Sequence, residues 1–176
     1  MHFEKINKYI KDDALHLPER KTAYSAGYDF EVAEGITVPS YWRQMKKLEK
    51  EASEIESLNL SGMTELTKCY GIRPTLVPTG VKVYLDDDYY LALNIRSSLP
   101  FKNWLVLANG TGIIDSDYVD NKDNEGHIMF QVINLSPFDI NLKKGDRIGQ
   151  GVILPYVVVD NDSAIGERKG GFGSTT

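Results

Sequence analysis

The sequence predicts an all-β domain, a barrel or jelly-roll-like sandwich, with a helical hairpin inserted and an arm of different texture at its C-terminal end. Three observations carry this. From Leu76 onward, the segments VKVYL, YYLALNI, WLVLAN, HIMFQVINL and RIGQGVILPYVVV are rich in β-branched and aromatic residues, and the clusters DDD, NGTG, DNKDNEG and KKGD separate them. Many short strands without intervening helices indicate a closed or double-sheet β architecture. Between about Ser40 and Arg73 the period changes to that of a helix, and after Val159 apolar periodicity stops.

The elements follow in order. Met1 to about Pro39 is turn-rich with short apolar runs such as Ile36-Thr37-Val38. Ser40 follows a proline and suits a helix N-cap. Tyr41, Met45, Leu48, Ala52 and Ile55 then recur on one helical face, with Lys47–Glu51 and Lys50–Glu54 as i,i+4 pairs on the other. Asn59 to Gly62 breaks the pattern, and a second helix is expected from Met63 to Tyr70 with Gly71 as its stop. The apolar stripe is expected to pack on its own domain. The β domain thus spans about residues 1–160 with its insert at 41–72, leaving 161–176 as an arm expected to be mobile.

Composition narrows the function classes. One domain suits 176 residues, and 41% hydrophobic content supports a packed core. A formal charge of -5, from 25 acidic and 20 basic residues, gives no footprint for duplex nucleic acid. Any phosphate site must be local, built from a few arginines with or without a metal. No apolar run approaches membrane-spanning length, and the N-terminal MHFEKINKYIKDD is too polar for a secretory signal. The only cysteine, Cys69, forms no internal disulfide, which fits a reducing, cytoplasmic setting.

Five clusters carry chemistry. SAGYDF places Asp29 at the start of a strand, beside a flexible Gly27. RSSLPFK follows a strand directly, and Arg96 with the Ser97 and Ser98 hydroxyls can hold phosphate oxygens. NGTGIIDSDY suggests a glycine hairpin whose backbone, with the Asn109 amide, can pair with a planar base. In the same cluster Asp115 can orient and deprotonate a water, and Tyr118, three residues on, can face the same ligand. KKGDRIGQG is a turn leading into a strand with the Gln150 amide. The tail GERKGGFGSTT precedes no helix and so is no P-loop, yet it carries an arginine, a stacking ring and hydroxyls.

In order and spacing, these clusters resemble the five motifs of the homotrimeric dUTPase family. ALHLPERKTAYSAGYDF is similar to the entry into its first motif, TLVPTGVKVYL to the strand before its second, and RSSLPFKNWLVLANGTGIID to its second and third. LKKGDRIGQGVILP and ERKGGFGST are similar to its fourth and fifth. The resemblance implies a jelly-roll-like dUTPase barrel that hydrolyses dUTP to dUMP and pyrophosphate with Mg2+, as a homotrimer with shared active sites. It implies Asp115 as the general base, Tyr118 against the deoxyribose, and Asn109 with the backbone from Gly112 to Ile114 as the uracil reader. Arg96, Ser97, Ser98 and Gln150 would hold the phosphates, and Asp29 would contact hydrated Mg2+ through water. Arg168, Phe172, Gly173, Ser174 and Thr175 would close over the substrate as a lid.

The sequence also departs from the family. Ser98, Trp104 and Asp120 stand where the family commonly has glycine. The Arg-Ser-Ser triplet is shared with the related dCTP deaminases, but these need a glutamate on the strand after the third motif, and HIMFQVIN has none. Inserts in some phage members serve regulatory binding. This implies a phage or prophage source, with action in the bacterial host cytoplasm, and a possible protein partner at the insert.

Overall fold

The computed structural model describes residues 1–55, 57–166, 168, 170 and 171. Among these, eleven strands, numbered in chain order, form four sheets, all antiparallel. β1 (His2–Lys5) pairs with β5 (Val81–Tyr84), and β3 (Ile36–Val38) with β10 (Ile140–Leu142). β2 (Tyr28–Glu31), β11 (Arg147–Pro155), β6 (Tyr89–Ile95) and β8 (Gly112–Ile114) lie side by side in that order. β4 (Thr75–Pro78), β9 (Met129–Asn134) and β7 (Leu105–Leu107) form the fourth sheet. The expected all-β, jelly-roll-like architecture holds.

The sheets close on one core. Phe30, Leu91, Phe130 and Ile148 are fully buried, and the rings of Phe30 and Phe130 meet edge to face at 5.7 Å. Strand alternation supplies these residues: in β9, Phe130, Val132 and Asn134 point inward while Met129, Gln131 and Ile133 are half-buried on the other face. The same core explains the glycines of β11. A Cβ on Gly149 would lie 1.9 Å from the Phe130 ring, and one on Gly151 2.7 Å from that of Phe30. Two aromatic rings therefore pack directly on bare backbone.

Several expectations change. The second helix of the insert starts at Leu60, not Met63: Asn59 caps it by accepting from the Gly62 N–H at 2.8 Å. Asn59–Gly62, read as a break, is a helix start, because a short polar side chain satisfies the orphan N–H groups there. The first helix, α1 (Tyr41–Glu51), follows its Ser40 cap as expected, and the second, α2 (Leu60–Tyr70), ends at Gly71 in the left-handed region. Among the described residues the ion pairs of the insert are Arg43–Asp139 and Lys68–Glu65 rather than Lys47–Glu51 and Lys50–Glu54. Exposed pairs gain too little against side-chain entropy to be set by spacing alone. Tyr41 and Met45 line an apolar groove with Val132 and Ile133, whereas Leu48, Ala52 and Ile55 face Leu58 and Leu66 of the insert itself, so only the start of the stripe faces the β domain.

The NGTG turn is no hairpin of paired strands. β7 pairs with β9 and β8 with β6, so the loop carries the chain from one sheet to another. Tyr156 to Val159, expected to extend the last strand, lie outside it and are exposed. β1 and β10 lie in segments read only as turn-rich or connecting.

Two of the glycine departures keep a glycine-like backbone. Trp104 and Asp120 have φ of 58° and 56°, a left-handed conformation that costs a non-glycine residue on the order of 1–3 kcal/mol. Local bonds offset it. The Trp104 carbonyl accepts from Leu135 N–H at 2.9 Å, and the Asp120 carboxylate accepts from the Tyr84 hydroxyl at 2.8 Å and pairs with Lys82. The tightest steric demand is at Gly149. Gly149→Ala should lower stability by about 1–3 kcal/mol or more through overpacking against Phe130, read by denaturant unfolding. An unchanged midpoint would contradict this packing.

Candidate active site

Strand β11 organises the site. Its register sets Gln150 opposite Asp29 of β2 on one side and Asn94 of β6 on the other. Partners directly opposite share a sheet face, so Asp29, Gln150 and Asn94 form one polar row. The Asp29 carboxylate is buried at 7% exposure. It accepts from Gln150 Nε2 at 3.0 Å and from Arg147 Nη1 at 3.3 Å, with Arg96 Nε at 4.0 Å. A buried charge persists only when paired and hydrogen-bonded, and here it holds two guanidinium groups and an amide together. Arg96 follows β6 directly, its N–H bonded to Ile148 O at 3.3 Å. Ser97 and Ser98 open a short helix, α3 (Ser98–Asn103), where a polar loop was the plain sequence reading.

A second cluster lines a cleft of about 200 Å³. Leu93, Leu107 and Met129 give it apolar walls; Asn109, Gly112, Ile113, Ile114, Asp115, Tyr118, Gln131 and Arg168 complete it. Gly112 lies opposite Leu93 across the β8–β6 pair, where a Cβ would come within 3.2 Å of the Leu93 side chain. Asp115 directly precedes a 3-10 turn (Ser116–Tyr118) that brings Tyr118 to the same cleft, as the three-residue spacing anticipates.

Tyr118 is held firmly. Its hydroxyl donates to His127 O at 3.1 Å and accepts from Asn124 Nδ2 at 2.8 Å. Burial pushes its pKa up, so it stays a neutral donor. Arg168 of the arm reaches the cleft. Its guanidinium pairs with Asp115 and donates from Nε to Asp117 at 2.6 Å, 5.9 Å from the centre of the Tyr118 ring. Partial burial opposes its charge, but the bond to Asp117 and the nearby Asp115 more than compensate and raise its pKa. Gly171 lies against the Tyr118 ring, where a Cβ would be 2.7 Å from Cε2.

The expected site residues thus fall into two sets. Asn109, Gly112, Ile114, Asp115, Tyr118 and Arg168 share one cleft; Asp29 and Gln150, with Arg96 beside them, share the polar row, and none of these three nor Ser97 and Ser98 lines the cleft. Phe172, Gly173, Ser174 and Thr175 lie outside the described residues. Sequence reasoning missed Arg147, Asp117 and Gln131. Arg147 and Asp117 had no distinguishing signal, being charged residues beside turns. Gln131 did have one: it is the lone polar side chain within the otherwise apolar run of β9 before Asn134.

Comparison with known proteins matches this architecture. Residues 58–176 match the family model described as dUTPase. The deoxyuridine 5'-triphosphate nucleotidohydrolase of Lactococcus lactis is 37% identical over 175 residues, 98% of this chain and 95% of that protein. The crystal structure of a dUTPase from Streptococcus mutans superposes with a TM-score of 0.70 at 36% identity, covering 92% of this chain and 100% of that one. A mutant dUTPase of Staphylococcus aureus phage phi11, described with a structural Mg(II) ion, reaches 0.61 at 16% identity over 94% of this chain and 96% of that one, a likeness of fold alone. The chain belongs to the dUTPase family.

One titration follows from the packing beside Tyr118. Burial, then the Lys8 charge, push His127 from 6.5 down to about 4, and its Nε2 accepts from the Gly80 N–H at 2.9 Å. The unfolded chain therefore takes up a proton first as pH falls, so stability drops from pH 6.5 towards 4. His127→Gln should flatten that part of the curve of melting temperature against pH; an unchanged slope would assign the loss to other groups.

Proposed function

We propose that the protein hydrolyses dUTP to dUMP and pyrophosphate, with Asp115 as general base directing water at the α-phosphorus. The observation that carries this reading is the cleft where Asp115, Tyr118, Asn109 and the bare backbone at Gly112 converge. Its apolar walls suit a planar base. Uracil is selected by the Asn109 amide and the backbone from Gly112 to Ile114. A 5-methyl group meets rigid backbone, and a 4-amino group brings a donor where an acceptor is needed, leaving buried groups unpaired. Tyr118, fixed by His127 and Asn124, lies against the deoxyribose and leaves no room for a 2'-hydroxyl.

A triphosphate repels the incoming nucleophile, so cations must offset its charge. Arg96, Ser97, Ser98 and Gln150 hold the phosphates. These residues stand apart from the cleft of their own chain, which supports sites completed between chains of a homotrimer. Among the described residues no cluster of three or more His, Cys, Asp or Glu could hold a metal ion. Mg2+ would come on the triphosphate with its own waters and would offset charge on the phosphate oxygens. Asp29 keeps a spare lone pair on each oxygen beyond Gln150 and Arg147, enough to accept from such a water.

The arm acts as a lid. Arg168 holds Asp115 and Asp117 in this chain; a triphosphate offers it a denser negative charge, and exchanging carboxylate for phosphate frees Asp115 as a base. Phe172 stacks on uracil, while Gly173, Ser174 and Thr175 close on the terminal phosphate. Closure excludes water and strengthens the charges around the triphosphate. Among the described residues no helix is long and apolar enough to cross a membrane, and the reading places the enzyme in the cytoplasm. Deamination of dCTP is disfavoured because β9 brings Gln131, not a carboxylate, to the cleft.

Incubation with Mg2+ and each of dUTP, dTTP, UTP and dCTP should release pyrophosphate from dUTP alone. Ammonia from dCTP would move the protein to the deaminases. Asp115→Asn should cut kcat by about 10²–10⁴-fold while nucleotide binding persists. Truncation after Glu167 should keep the fold and slow turnover severely; a full rate would rule out the lid.

A further inference from the structure

Strand β9 carries two carboxamides on opposite faces, and their surroundings differ. Asn134, 1% exposed, is fully occupied: Nδ2 donates to Val38 O at 2.9 Å and Phe138 O at 2.7 Å, and Oδ1 accepts from Ser136 N–H at 2.9 Å. It is a structural amide. Gln131 stands on the other face, in the lining of the cleft. Its backbone is satisfied, the carbonyl accepting from Ala108 N–H at 2.7 Å. Its side-chain amide has no hydrogen-bond partner among the described residues, although Met129, Leu93 and Leu107 wall the same cleft. A polar group placed among apolar walls and left to water is expensive to cover unless the ligand bonds to it.

We propose that Gln131 is a specificity-determining residue that bonds the polar edge of the pyrimidine, its amide N–H donating to the 4-oxo oxygen. The inference rests on the dUTP reading of the cleft and adds a side-chain reader to it, on a strand outside the NGTGIIDSDY segment. The chemistry at this position then sets the base. A neutral amide donates to a carbonyl oxygen. A carboxylate cannot, and would instead accept from the 4-amino group of cytosine. Leucine keeps the volume and offers neither. Gln131 is anchored through a strand in the middle of its sheet, between β4 and β7, so the amide is presented on rigid backbone. It acts on the base rather than at the reacting phosphorus, and binding of this kind is uniform between ground and transition states. Its loss should appear in KM, with kcat little changed.

The test compares wild type, Gln131→Leu and Gln131→Glu, each checked for a native-like melt, by steady-state hydrolysis of dUTP. Binding of the hydrolysis-resistant α,β-imido analogues of dUTP and dCTP is measured alongside. Gln131→Leu should raise KM for dUTP about 10-fold with kcat within about 3-fold, the effect of one buried hydrogen bond. Gln131→Glu should shift the ratio of dUTP-analogue to dCTP-analogue affinity towards dCTP by about 10-fold or more, a readout independent of turnover and of the leucine variant's folding. A wild-type enzyme active on dUTP whose two variants keep KM and the affinity ratio within about 2-fold would overturn this proposal alone. So would a loss confined to kcat. A wild-type chain inert towards dUTP would overturn the functional reading and this proposal together.

Discussion

The buried carboxylate of Asp29 is the point on which much of the molecule depends. It sits on the face of β2 opposite Phe30 at 7% exposure, paired with Arg147 and hydrogen-bonded by the amide of Gln150, with Arg96 nearby. Removing a buried partner leaves an uncompensated charge, which is costlier than the pair is beneficial. The arrangement therefore ties three strands, β2, β11 and β6, to one register. A one-residue slip of β11 would turn Gln150 to the other face. It would also move Gly149 and Gly151 away from the Phe130 and Phe30 rings, which admit no side chain there. The polar row and the aromatic core thus enforce the same alignment from opposite faces of one strand.

That alignment separates charge in a way that suits a polyphosphate. The cations near Asp29 lie on the β11 row. The acidic pair Asp115 and Asp117 lies at the cleft, where Arg168 offsets it. A chain with a net charge of -5 cannot attract a polyanion by its overall field. The packing of β2, β11 and β6 does gather the Arg96 and Arg147 guanidinium groups beside Asp29. The cleft, by contrast, mixes apolar walls from Leu93, Leu107 and Met129 with the convergent polar groups of Asn109, Asp115, Tyr118 and Gln131, a combination that can bury a planar ring and read its edge.

The helical insert is built on different physics. Neither of its helices has a fully buried residue. It is fastened at its root by specific bonds: the Ser40 hydroxyl to Ser136 O at 2.7 Å and Trp42 Nε1 to Leu135 O at 3.0 Å. Caps at Ser40 and Asn59 start each helix. Such an element adds little to the core and can change without disturbing the β11 register.

By itself the sequence determined most of the longer strands, the place of the insert, the helix caps at Ser40 and Gly71, and the local grouping of Asp115 with Tyr118. All of these are set by neighbours a few residues apart, through periodicity, capping and turn chemistry. Membership of the family was legible because its motifs are short and ordered along the chain. Only the tertiary structure decided that the NGTG loop crosses between sheets, that Arg147 lies 118 positions from Asp29 yet bonds it, and that Gln131 faces the cleft while Asn134 is spent on the backbone. Those outcomes depend on which strands pair and in what register. Pairing is settled by the burial of side chains far apart in sequence, a sum over the whole core that no local pattern contains.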